Sequence, residues 1–183
     1  MANRRADVIA AAAELLDRHG LAELTMRRLA GDLGVQPSAL YHHFANKQSL
    51  LAALADDLLD RDPWPDADLW QEHVAAICGR LHGCLLDWRD GAELVATVWS
   101  FGLGASRPFE MLVDALSPVG RLAPTAARTL LHFVYGHAVD EQTYLQAAQA
   151  GAISTGDRDE AEFSTGLGIV IAGIQVAAAV RSV

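Results

Sequence analysis

Apolar residues recur at intervals of three and four along the chain, the spacing of an amphipathic helix, and no segment alternates with the period of a strand. Val8, Ile9, Ala12, Leu15 and Leu16 share one side of a helix from Arg4 to His19, which Gly20 stops. Leu29, Ala30 and Leu33 share a face of a shorter helix whose first turn holds Arg27 and Arg28. Gly34 can take the left-handed conformation that ends it. Pro37, which lacks an N–H, suits the first turn of a third helix. Leu40 and Phe44, four apart, turn that helix to the core, which leaves Ser38, Ala39, Tyr41, His42 and His43 near or on its other side. Asn46 caps a fourth helix, along which Leu50, Leu51, Leu54 and Leu58 run at helical spacing to about Arg61. Asp62-Pro63-Trp64-Pro65-Asp66 then breaks the pattern, because proline removes a donor and restricts the residue before it. Further helices are predicted at residues 67–88, 90–105, 108–117, 123–149 and 159–181, separated by Pro118, Pro124 and a loop at 151–156. The predicted fold class is all-α.

Two short helical patterns parted by a glycine read as a helix-turn-helix. From Thr25 to Lys47 the chain carries T-x-R-x-L-A-x-x-L-G-V-x-x-x-x-L-Y-x-H-F-x-N-K without a gap. Over these residues it resembles the TetR family of bacterial transcription regulators. The likeness extends, more loosely, to Trp88-Arg89-Asp90-Gly91-Ala92, to Thr129-Leu130-Leu131-His132-Phe133-Val134-Tyr135-Gly136 with Glu141-Gln142, and to Phe163-Ser164-Thr165-Gly166-Leu167. The resemblance implies a DNA-binding head at 1–47, a connecting helix at 47–62 and a ligand-binding and dimerisation body at 67–183. It implies a homodimer whose helices at 123–149 and 159–181 pair with their copies in a four-helix bundle, and a double-stranded DNA operator read by two heads. In the head, Gln36, Pro37, Ser38, Ala39 and His42 are expected nearest base edges. Tyr41, His43 and Lys47 are expected mainly on phosphates, with Thr25 and Arg27 beside them.

Charge refines this picture. The net charge is −9, the wrong sign for a protein that would bind DNA with its whole surface. Residues 1–50 hold six Lys/Arg against five Asp/Glu (+1), and residues 51–183 hold the remaining eight against eighteen (−10). Affinity for DNA must therefore come from local contacts of the N-terminal part. Cys78 and Cys84 are six apart, about 120° around a helix, so reduced core thiols in a cytoplasmic protein are expected. Arg4-Arg5 before the short apolar run at 8–13 does not make a signal peptide, since Asp7 and Glu14 flank the run. Residues 163–180 carry no charge, yet Ser164, Thr165, Gln175 and three glycines dilute the run, which reads as a helix at a subunit interface and not a membrane span.

Trp88, Trp99, Phe101, Phe109, Met111, Phe133, Tyr135 and Tyr144 supply apolar bulk suited to a core or to a small-molecule cavity with few polar groups. The tetracycline repressor itself holds a magnesium–drug chelate. Carried over by position, its chelating and hydrogen-bonding groups fall on Pro63, Ile77, Val95 and Trp99, and a neighbouring aromatic falls on Leu81. Only Glu141 remains. An uncharged or aromatic effector is the expectation, lined by Ile77, Leu81, Val95, Trp99, Tyr135 and Glu141, with no cofactor and no metal. His137 and Glu141 share one helix face, but a metal would need a third ligand from His132 or His82. No G-x-S-x-G, H-E-x-x-H or glycine-rich phosphate loop is present, so an enzyme is not expected. The alternatives are a DNA-binding regulator without a ligand and a small-molecule or metal-dependent enzymatic module on the same scaffold.

Overall fold

The computed structural model describes residues 4–154 and 161–180. Those residues form nine α-helices, one 3-10 segment and no strand. In chain order the helices are α1 (Arg5–His19), α2 (Met26–Asp32), α3 (Pro37–Tyr41), α4 (Lys47–Asp60), α5 (Trp70–Leu86), α6 (Gly91–Ser100), α7 (Arg107–Ala115), α8 (Ala123–Gln149) and α9 (Glu162–Val180). The predicted start at 159 and end at 181 of the last helix lie outside the described residues, as do residues 155 and 156 of the preceding loop.

The helix ends follow from side-chain chemistry. Thr25 accepts from the Arg28 N–H at 3.2 Å and so starts α2. Asn46 and Ser49 satisfy each other's backbone N–H groups at 2.8 and 3.2 Å at the start of α4, an arrangement that stabilises a helix by about 1 kcal/mol. Gly34 lies at φ +65° after α2. There the Val35 N–H bonds to Ala30 and the Gly34 N–H to Gly31, the paired closure that lets a chain leave a helix with its last carbonyls satisfied.

The periodicity extends two helices beyond their ends in the structure. Residues 67–69 are not helical, and the Ala67 N–H is taken by the Asp66 side chain at 2.9 Å. The helix predicted to reach 105 ends at Ser100, because Gly102 (φ +65°) makes the same closure as Gly34, with Leu103 bonded to Val98 and Gly102 to Trp99. A 3-10 segment over Ser117–Leu122 occupies the break predicted at Pro118.

The chain divides into two compact units. One comprises Met1–Asp62 with Cys84–Ala105, the other Pro63–Gly83 with Ser106–Val183. In the first, Val8, Leu15, Leu16, Leu29, Leu40, Leu50 and Leu54 form a closed apolar core, and α1 packs on α2 and α4 while α4 packs on α6. Two carboxylates fasten the ends of α6 within this unit. Asp90, just before α6, accepts from the Leu21 N–H at 2.7 Å. Asp56 of α4 accepts from the Ala105 N–H, beyond α6, at 2.7 Å.

In the second unit α8 packs on α7, on the 3-10 segment and on α9. Its core includes Val74, Ile77, Leu81, Leu112, Leu130, Leu131, Val134 and Ala138. The linker is held down on α5: the Arg80 guanidinium lies 4.0 Å over the Trp64 ring and donates to the Pro63 carbonyl at 3.0 Å.

Candidate functional site

The helix-turn-helix is anchored from beneath. Leu40 and Phe44 are buried, and the Phe44 N–H bonds to the Leu40 carbonyl at 3.0 Å just past the end of α3. With this face pinned, Gln36, Ser38, Tyr41, His42 and His43 are exposed, and Pro37 and Ala39 are partly so. Thr25 and Arg27 are exposed on the start of α2, and Lys47 opens α4. The arrangement offers hydroxyl, amide, imidazole and phenol groups on one short helix, bordered by two cations.

The basic residues differ in availability. Arg28 is engaged by the Glu23 carboxylate, whereas neither Arg27 nor Lys47 has an ion pair among the described residues. Arg5 stacks over the Phe44 ring at 4.8 Å, a contact worth ~0.5–1 kcal/mol at an exposed position. That contact ties the start of α1 to the anchor of α3, and sequence periodicity alone did not reveal it.

The residues predicted to line an effector site divide between the units. Ile77, Leu81, Tyr135 and Glu141 belong to the second, Val95 and Trp99 to the first. Ile77, Leu81 and Val95 are fully buried. Tyr135 is buried too, and its hydroxyl has no hydrogen-bond partner among the described residues. Burial pushes its phenol pKa up, which keeps it a neutral O–H group. An unmatched hydroxyl of this kind costs roughly 1–3 kcal/mol. Burial likewise pushes the Cys78 thiol up to about 12, which leaves it an inert part of the core, and neither cysteine is in a disulfide among the described residues.

Glu141 does not stand alone. His82 of α5 approaches it at 3.1 Å through Nε2, and His137 at 3.5 Å through Nδ1. The two imidazole nitrogens are 3.2 Å apart. The His82 ring stacks on Phe163 of α9, with centroids 3.9 Å apart and planes 17° from parallel. Burial lowers the His82 pKa; the Glu141 carboxylate opposes that shift and His137 adds to it. Of the two candidates for a third group beside His137 and Glu141, the fold selects His82; His132 is exposed.

The outer side of α9 is unusual for a helix of this hydropathy. Ile169, Val176 and Val180 are 70%, 65% and 71% exposed. Beside them, Leu122, Thr125, Ala126 and Thr129 of the segment entering and opening α8, with Val170, Gly173, Ile174 and Ala177 of α9, line an apolar groove of about 310 Å³. Among the described residues α9 alone is long and apolar enough to cross a membrane.

Comparison with known proteins places this geometry. Residues 8–54 match the model of the bacterial regulatory proteins of the tetR family, and residues 62–155 match that of the tetracyclin repressor-like C-terminal domain. The class G tetracycline repressor protein of Vibrio anguillarum is 34% identical over 143 residues, which cover 74% of this chain and 67% of the relative. Among solved structures, BioQ of Mycobacterium smegmatis superposes with a TM-score of 0.86 at 41% identity, covering 94% of this chain and 97% of that one. BioQ solved with its double-stranded DNA operator superposes at 0.82 with 40% identity, covering 94% and 98%. ActR of Streptomyces coelicolor in complex with (S)-DNPA superposes at 0.80 with 27% identity, covering 96% and 98%. With a helix-turn-helix head and a tetracyclin repressor-like body matched in one chain, the protein belongs to the tetR family of bacterial regulatory proteins, which are DNA-binding transcriptional regulators and not enzymes.

Proposed function

We propose that this chain is a cytoplasmic repressor that binds a palindromic double-stranded DNA operator as a homodimer and is released from it by a mostly apolar small molecule. The observation that carries the reading is the exposed row of Gln36, Ser38, Tyr41, His42 and His43, held outward by buried Leu40 and Phe44. A net charge of −9 leaves few places where DNA can be approached, and uncommitted Arg27 and Lys47 border this one. BioQ, similar over 94% of this chain, has been seen with its double-stranded operator.

Within the row, Gln36, Pro37, Ser38, Ala39 and His42 are assigned to base edges, and Thr25, Arg27, Tyr41, His43 and Lys47 mainly to the backbone. Lys47→Ala should weaken binding to all duplexes alike and reduce the salt slope by about one phosphate's share. His42→Ala should instead change the preference between duplexes by ~1–3 kcal/mol at one base pair. Binding curves over a panel of single-base operator variants separate the two; identical specificity profiles for both variants would refute the assignment.

The effector is assigned to the body. α5 and α8 meet at His82 and His137, and Ile77, Leu81 and Tyr135 lie within two turns of that meeting point along the same helices. The unmatched Tyr135 hydroxyl offers a polar contact beside apolar Ile77 and Leu81, a mix of apolar wall and few polar groups that suits a small-molecule site. Tyr135→Phe should leave the free protein as stable or more so, while reducing effector affinity by roughly tenfold, the worth of one hydrogen bond. Trp99→Ala, in α6, should blunt release from the operator without altering operator affinity of the effector-free protein. A full response in both variants, measured by operator release against a panel of apolar metabolites, sets this assignment aside.

Homodimerisation is assigned to α8 and α9. Three large side chains on α9 at 65–71% exposure and the apolar groove beside them are surface that water disfavours. A second copy placed on it by a two-fold axis would cover it and pair the heads on two half-sites.

A further inference from the structure

We propose that His82, His137 and Glu141 form a binding site for a divalent transition-metal ion of the zinc class, which joins α5 to α8. This donor set shares only Glu141 with the positions expected from the resemblance to the tetracycline repressor, since Pro63 and Val95 stand where its histidines would fall. The site adjoins the region assigned to the effector, and its test reads metal binding directly, with neither operator nor effector present.

The three polar atoms of this cluster pose a parity problem. His82 Nε2, His137 Nδ1 and Glu141 Oε2 are mutually 3.2, 3.1 and 3.5 Å apart. A ring nitrogen is either a donor or an acceptor, and an ionised carboxylate oxygen only accepts. Three such atoms in a triangle cannot all be matched: whichever tautomers are chosen, one edge joins two donors or two acceptors. A cation at the triangle removes the conflict, because all three atoms then present lone pairs to it.

The dimensions fit. Tetrahedral coordination with bonds of ~2.0–2.2 Å from imidazole nitrogen and carboxylate oxygen sets adjacent ligand atoms ~3.3 Å apart, and the three observed edges bracket that value. Two imidazoles and one carboxylate favour zinc and its neighbours over magnesium, which requires oxygen ligands in near-octahedral geometry. The ligands come from rigid helices: His137 and Glu141 are one turn apart on α8, and His82 is fixed by its stack on Phe163. The side chains remain 13%, 19% and 30% exposed, so an ion can enter and a fourth position can hold water.

The test uses the full chain, stripped with a chelator and dialysed, then titrated separately with zinc, cobalt(II) and magnesium by calorimetry. One zinc per chain is expected, together with the intense visible absorption of four-coordinate cobalt(II) and no heat with magnesium. Zinc should also raise the melting temperature. His82→Ala and His137→Ala should each abolish the cobalt spectrum, and Glu141→Gln, which keeps the shape of the side chain, should weaken zinc at least tenfold. Exposed His132→Ala should keep full binding. Circular dichroism on each variant separates loss of the site from loss of the fold, and Glu141→Gln alone decides should the histidine variants not fold. No zinc bound by the native chain, or unchanged affinity in a folded Glu141→Gln protein, overturns the assignment.

Discussion

Replacing Gly173 by glutamate is expected to produce a folded monomer that no longer holds a palindromic operator. A Cβ built on Gly173 meets no atom within 4 Å, so a side chain can leave the exposed backbone there without a clash at its first carbon. It does place a carboxylate on the wall of the apolar groove between α8 and α9, beside Val170, Ile174 and Ala177. If that wall meets a second copy, the charge must be buried without a partner, which costs several kcal/mol per ion. With two copies in a symmetric interface the penalty is met twice. A monomer then engages one half-site alone, and losing the tethered second contact removes roughly 10²–10⁴ in affinity. Light scattering and an operator titration measure both effects. A dimer of unchanged mass would place the interface elsewhere on the surface.

Phe44→Ala is expected to have the largest effect on stability, about 3–5 kcal/mol, the cost of truncating a buried phenylalanine. Phe44 is 2% exposed and stands where the chain leaves α3. With the ring gone, Leu40 alone holds the five-residue helix down, and Arg5 loses the face on which it stacks. Such a loss is a large share of the roughly 5–15 kcal/mol by which domains of this kind are stable. Urea unfolding should show a lower midpoint, and operator binding should fail at temperatures where the native protein still binds. An unchanged midpoint would mean that the head does not depend on this anchor.

The head was almost fully legible in the sequence because its signals are local. Thr25, Gly34, Pro37 and Asn46 each act on the backbone within four residues, and they stand in the structure as caps and turns where the residue chemistry places them. The same local signal was present at Gly102, which ends α6 earlier than the apolar periodicity suggested. Groupings that depend on distant contacts were not legible. Residues 84–105 fall in one unit with the N-terminal helices, where Asp90 and Asp56 bind backbone groups 69 and 49 residues away. His137 and Glu141 could be paired from helical spacing, but His82 joins them through the register of α5 against α8, 55 residues apart in sequence. Nothing in the composition states that register. Likewise, the spacing of Arg27 and Arg28 does not say which is engaged; the structure gives Arg28 to Glu23.

Reading of DNA by α3 in a two-fold symmetric dimer dictates what an unbiased selection of duplexes should return. Selection of bound duplexes from a random pool by the purified chain, followed by determination of the stoichiometry on the winning sequence, reads both properties at once. The expected result is a palindrome whose half-site centres lie about one helical turn or a multiple of it apart, bound by two chains, with preference altered by His42→Ala and affinity lost in Gly173→Glu. Recovery of no preferred duplex, or of an asymmetric site bound by one chain, would contradict it.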